Sequence, residues 1–188
     1  RMERIKVIIS LVMIMAIVHI ANIVAGGKLM VFGISPGVTE SLPFIYSAPW
    51  IHGSWEHLTN NLIGLSIFSA LSLIRGKDFF IRASFIIITL TGLLVWFFGR
   101  SHSVHVGASG WIFGLWSLSI TLAWFQRSFT NILIAFFVAV FYGGMIWGVL
   151  PSSPHISFES HLFGAVSGVV AAYTLTKFLK APTRRKRR

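Results

Sequence analysis

Apolar residues fall along the chain in six long stretches separated by polar, Gly- and Pro-bearing connections: Ile5–Ala25, His57–Ile74, Phe79–Phe98, Ser109–Phe125, Ile132–Leu150 and Ser160–Leu179. Each is close to the roughly 20 residues that cross a hydrocarbon layer as an α-helix. The pattern predicts an all-α, polytopic membrane protein, a bundle of six transmembrane helices. The segment from Gly26 to Ile51 does not fit as a span, because Gly26-Gly27, Gly33, Pro36-Gly37, Pro43 and Pro49 interrupt it. It is expected to be a long, structured first extracytoplasmic loop, with Phe44, Tyr46 and Trp50 as interfacial anchors. The first stretch is read as a retained helix rather than a signal peptide, since Ile23-x-Ala25 makes a poor cleavage site. A single domain over 1–180 is expected, followed by a basic tail over 181–188, with no internal repeat.

Composition narrows the class. The chain has 188 residues, 55% of them hydrophobic and only 11% charged, with a mean hydropathy of +0.78. Soluble domains carry about 25% charged residues. A soluble globular domain, a disordered chain and a collagen-like repeat are excluded. The chain has no cysteine, which excludes disulfides, thiolate nucleophiles and Cys-ligated metal.

Charge orients the bundle. Of 16 Lys and Arg residues, all but Lys28 and Arg100 fall at the N-terminus, in the second connection (Arg75, Lys77, Arg82), at Arg127 or in the C-terminal segment. Such a partition between alternate connections matches the positive-inside rule for six spans with both termini cytoplasmic. The net charge of +11 is therefore assigned to anionic lipid headgroups and not to nucleic acid. The expected location is a cell membrane, bacterial inner or plasma membrane, crossed several times.

Polar groups inside spans are costly and need a reason. His57 and Asn61 lie four apart on one face of span two, His52 precedes them, Ser109 opens span four within Gly107-Ala108-Ser109-Gly110, and His161 opens span six. Spans two, four and six all enter from the extracytoplasmic side, so these groups gather at one shallow depth. Gly110 with Gly114, and Gly164 with Gly168, form two GxxxG pairs, which allow close helix approach. Close approach of spans four and six would bring Ser109 toward His161.

These parts suit acyl transfer. A serine hydroxyl needs a base, imidazole is the natural one, and attack on an amide builds an oxyanion that needs donors. The Ser109 N–H, His57 and Asn61 are the candidate donors. No acid obviously completes a triad: Glu3 and Asp78 lie on the wrong side, Glu56 and Glu159 lie on the right one, and Glu159 is expected to face away from His161 if the helix has begun, which leaves open whether either assists. A dyad oriented by packing is expected, with Phe113 one turn below Ser109 against the His161 ring.

The Gly107-Ala108-Ser109-Gly110 motif, the His52-x4-His57-x3-Asn61 spacing and the His161-x2-Gly164-x3-Gly168 spacing together resemble the rhomboid intramembrane serine proteases, from about His52 to Ala172. The resemblance implies a bundle of rhomboid type, with Ser109 as nucleophile, His161 as base, and His57, Asn61 and the Ser109 N–H as oxyanion hole. His52, Gly107, Gly110, Phe113, Gly164 and Gly168 would support the site. It also implies single-span membrane proteins as substrates, no cofactor, and a cavity open to the extracytoplasmic side. Span five (Ile132–Leu150) and the loop Pro151–Glu159 would be gate and cap. Two departures stand out. Tyr46-Ser47-Ala48-Pro49-Trp50 replaces the Trp-Arg pair of some bacterial members, and Glu159-Ser160 replaces Gly-Ala before the base.

Other readings stay open. His52 either supports the site or only holds the first loop. His19 is expected to be structural, and His102, His105 and His155 are expected to be solvated in loops. A metal site of His52, His57 and His161 would leave Ser109 unexplained, and Glu56-His57-Leu58-Thr59-Asn60 lacks the second histidine of a metalloprotease helix. A specialised relative that trims C-terminal sorting tails is one alternative. A non-catalytic rhomboid-like chaperone is another.

Overall fold

A computed structural model gives the fold, describing residues 2–151 and 157–178. The basic tail 181–188, His155 and most of the expected cap 151–159 lie outside the described residues. Six α-helices are present among those described: α1 (Met2–Val24), α2 (Trp55–Leu73), α3 (Lys77–Phe98), α4 (Ser109–Phe125), α5 (Phe129–Tyr142) and α6 (Phe158–Phe178). Met2–Val24, Lys77–Phe98 and Phe129–Val149 are long and apolar enough to cross a membrane, and Ser109–Phe125 is apolar but shorter.

Local chemistry sets the helix starts. Ser54 caps α2 by accepting the His57 N–H, and Ser128 caps α5 by accepting the Asn131 N–H. An N-cap hydroxyl satisfies one of the donors that a helix start leaves unpaired. The fifth apolar stretch is not one regular helix. It tightens into a 3-10 helix over Gly143–Val149, starting at the Gly143-Gly144 pair, where helix propensity is weakest.

α4 is the centre of the bundle. Trp111 through Ser119 are all buried, so α4 has no polar outer face. Around it stand α2, α3, α5 and α6, with α6 in the closest approach. A Cβ on Gly164 would collide with the Gly110 carbonyl, and one on Gly168 with the Gly114 carbonyl. Ser117 Oγ donates across the same seam to the Ala165 carbonyl, at 2.6 Å. Lipid is as apolar as Leu, so helices associate there through close packing and such hydrogen bonds. At the periphery, α1 and α5 keep Ile9, Met13, Ile17, Ile132, Phe136 and Phe141 exposed. Patches of that size mark a surface made for an apolar medium.

The first loop folds back over the bundle through 3-10 helices at Lys28–Phe32, Thr39–Ile45 and Ala48–Trp50. Ile34, Ile45 and Ala48 pack with Val95 of α3 in a small second core. Trp50, expected as an interfacial anchor, instead turns inward, with its ring 6.0 Å from that of Trp111. Tyr46 stays exposed, stacked on Phe85 and bonded through its hydroxyl to Thr89.

The seam yields a prediction. Gly168→Val should destabilise the protein by more than the ~1–3 kcal/mol usual for overpacking, because the added carbons meet backbone rather than a yielding side chain. Thermal melting in detergent measures it, and Val169→Ala, on the half-exposed neighbouring position, should melt close to wild type.

Candidate active site

Two pinned loops bring the site together. The backbone of His105 pairs with that of Ile34 in both directions, at 2.8 and 2.9 Å, and the Gly107 N–H reaches the Ala48 carbonyl at 2.9 Å. Gly107 then takes a φ of +105°, a conformation that side chains other than glycine rarely adopt. Ser109 follows as the first residue of α4. Its backbone N–H sits where a helix leaves donors unsatisfied. On the other side of the seam, His161 lies in the first turn of α6. A Cβ on Gly110 would stand 3.1 Å from the Ser160 carbonyl, so the neighbours of Ser109 and His161 touch backbone to backbone.

Ser109, His161, His57 and Asn61 all line one cavity of about 850 Å³. That volume is within the ~300–1,000 Å³ of ligand-binding clefts. Its upper wall comes from the loops at Met30, Ser54 and Val104, and its deep wall from Ile67, Phe68 and Tyr142.

The His161 ring is held on two sides. Phe113 stacks on its face, with centroids 4.2 Å apart and planes 10° from parallel. The Gly148 carbonyl lies 2.9 Å from Nδ1. A carbonyl only accepts, so Nδ1 carries the proton and donates, which leaves the Nε2 lone pair free. Glycine permits this approach: a Cβ at Gly148 would stand 2.6 Å from Phe113 Cζ. Glu159, as expected, points elsewhere, and its buried carboxylate pairs with Arg100.

Facing them, α2 offers donors. A Cβ on Gly107 would fall on the His57 ring and 3.1 Å from Asn61 Nδ2. Asn61 is buried, and among the described residues its Nδ2 has no hydrogen-bond partner. An unpaired buried amide is costly, so its place beside the loop that leads to Ser109 calls for a ligand acceptor. Behind His57 stands His52, fully buried, with ring centroids 5.0 Å apart. His52 does not itself line the cavity. Its carbonyl meets His19 Nδ1 at 3.1 Å, so His19 ties α1 to the base of the site. Gly164 and Gly168 belong to the seam below. Among the described residues, no three His, Asp or Glu side chains are arranged to hold a metal ion.

The Rhomboid domain matches this chain over residues 39–178. The chain belongs to the rhomboid family. Among similar proteins, an uncharacterized protein of Mycobacterium tuberculosis is 36% identical over 188 residues, covering 96% of this chain and 77% of its own. One of Mycobacterium leprae is 35% identical over 157 residues, covering 79% and 61%. Rhomboid-like protein 11, chloroplastic, of Arabidopsis thaliana is 32% identical over 151 residues, covering 72% and 53%. Family and apolar exterior together make this rhomboid a multi-pass membrane protein.

Besides Trp50, a second sequence expectation fails in this rhomboid. His105 is not solvated: it is 4% exposed and bonded to Ser103 and Ser157. Ser103 stands two residues away, but a lone loop histidine gives no sign of Ser157, which comes from a segment some fifty residues further on. The Gly148 carbonyl was equally invisible, because a backbone acceptor has no side-chain signature. His102 is exposed, as expected for a loop, with a φ of +62°.

The burial of His52 predicts a fold that loses stability in acid. Burial, and then the proximity of His57, push its imidazole down to about 4, against an opposing contribution from the Trp50 carbonyl and with a lesser push from His19. The folded protein thus binds that proton less readily than the unfolded chain. Stability present above pH 6.5 should fall as pH drops toward about 4, by up to ~1.4 kcal/mol per pH unit. Melting temperatures between pH 7.5 and 4 test this, and His52→Phe should flatten the decline.

Proposed function

We propose that the protein is an intramembrane serine endopeptidase that cuts single-span membrane proteins with a Ser109–His161 dyad. The observation that carries this reading is the cavity that Ser109 and His161 both line, in which the Gly148 carbonyl holds the His161 proton on Nδ1 and so leaves Nε2 as the basic nitrogen. Family membership supports it independently. The proposed chain crosses the membrane six times, with both ends of the 1–180 domain in the cytoplasm of a bacterial cell, as the distribution of Lys and Arg suggests. The cavity then opens to the extracytoplasmic side, where water can enter.

In this mechanism Ser109 Oγ attacks the scissile carbonyl carbon while its proton passes to His161 Nε2. The carbonyl oxygen becomes an oxyanion and accepts from the Ser109 N–H, from Asn61 Nδ2 and from His57. Collapse breaks the C–N bond, and His161 returns the proton to the leaving amine. Water, activated in turn by His161, then hydrolyses the acyl-enzyme. The Gly148 carbonyl and the Phe113 face do what a third catalytic residue does elsewhere: they hold tautomer and ring plane.

Ser109→Ala and His161→Ala should abolish cleavage of a single-span reporter substrate in proteoliposomes while leaving the melting curve intact. Asn61→Ala should cost about 10²–10³ in kcat, the usual loss for one oxyanion donor. A fluorophosphonate should label wild type and not Ser109→Ala. Cleavage or labelling that persists in purified Ser109→Ala would overturn the assignment.

A further inference from the structure

The polar residues just ahead of His161 form a closed circuit with the loop just ahead of Ser109. Ser103 Oγ donates to the Arg100 carbonyl at 2.6 Å. A hydroxyl has one proton, so Ser103 must accept from His105 Nε2, 2.8 Å away. That places the His105 proton on Nε2 and leaves Nδ1 as an acceptor. Nδ1 then takes the Ser157 proton at 2.6 Å, and Ser157 Oγ takes the Ser160 proton at 2.8 Å. Every link has one donor and one acceptor, and all run in the same direction. The circuit closes through the Arg100 guanidinium, paired with the Glu159 carboxylate and lying over the Phe158 ring at 5.9 Å.

His105 and Glu159 are both at most 5% exposed. Burial pushes the His105 imidazole below its usual range, with Glu159 opposing and Arg100 adding to the effect, so the neutral form that the circuit needs is the stable one. Partly desolvated hydrogen bonds of this kind hold geometry more firmly than exposed ones.

We propose that His105 and Glu159 are positioning residues, which through Ser157, Ser160 and Arg100 brace the start of α6 against the loop before α4 and so set His161 in register with Ser109. The proposal rests on the endopeptidase reading. The glycine seam sets how close α4 and α6 lie. The brace sets how far one may slide or rotate against the other at the end where the chemistry happens. His105 and Ser157 edge the cavity, but their side-chain hydrogen bonds run within the circuit, so the brace acts on turnover rather than on substrate docking.

The experiment uses the full chain in proteoliposomes with a single-span fluorescent reporter and a fluorophosphonate. In His105→Leu, kcat and the labelling rate of Ser109 should fall by ten- to about a hundredfold, as sub-ångström to ångström misplacement does, with KM within twofold. His105→Asn, whose amide oxygen can still accept from Ser157, should recover most of the loss, and Glu159→Gln should fall between the two. Ser157→Ala, a milder change that removes the donor to Nδ1, should lower kcat in the same way and covers the case in which His105→Leu does not fold. Wild-type kcat and labelling in both His105→Leu and Ser157→Ala would overturn the brace and leave the endopeptidase reading intact. A loss that follows the melting temperature, with no recovery in His105→Asn, would reduce His105 to a structural role and overturn it as well. Cleavage that survives Ser109→Ala would remove the endopeptidase reading and the brace with it.

Discussion

Backbone meets backbone along the seam of α4 and α6. Gly164 and Gly168 leave room for the carbonyls of Gly110 and Gly114, and no side chain larger than hydrogen fits. In a medium that offers no hydrophobic drive between helices, such contact and the Ser117–Ala165 hydrogen bond provide the association. The rest of the site inherits its geometry from that contact. Ser109 and His161 sit one residue from the positions that touch, Phe113 projects from the same helix onto the imidazole, and Gly148, lacking a Cβ, lets its carbonyl reach Nδ1.

Polar chemistry is concentrated where the bundle meets its loops. The first loop is rooted on α3 by its own small core and clamps the segment before α4 by backbone pairing at Ile34 and His105. That arrangement tolerates groups that hydrocarbon would penalise. Among the described residues Asn61 keeps an unpaired Nδ2 donor, and burial favours the neutral form of His52, both at a cost in stability. The orienting partner of His161 is a carbonyl and not a carboxylate. A backbone acceptor fixes the tautomer without adding a charge to a partly buried site.

Much of this was legible in the chain itself. The six apolar stretches anticipated the six helices to within a few residues, since length and hydropathy are local properties that hydrocarbon reads directly. The exception was the end of the fifth stretch, where Gly143-Gly144 loosens the helix into a tighter 3-10 turn. Trp50 was misplaced for a different reason: an amphipathic aromatic suits an interface and a core equally, and only the position of Trp111 decides between them.

The amino-acid sequence by itself determined which residues could do acyl-transfer chemistry and on which helices they stand, because residue type and spacing are written in one dimension. Tertiary structure alone decided the tautomer of His161, the orphaned donor of Asn61 and the burial of His105. Each depends on an atom from a distant segment: the Gly148 carbonyl, the Gly107 turn and the Ser157 hydroxyl. Hydrogen bonds are made between atoms close in space, and nothing in local sequence specifies which distant carbonyl or hydroxyl will arrive within 3 Å.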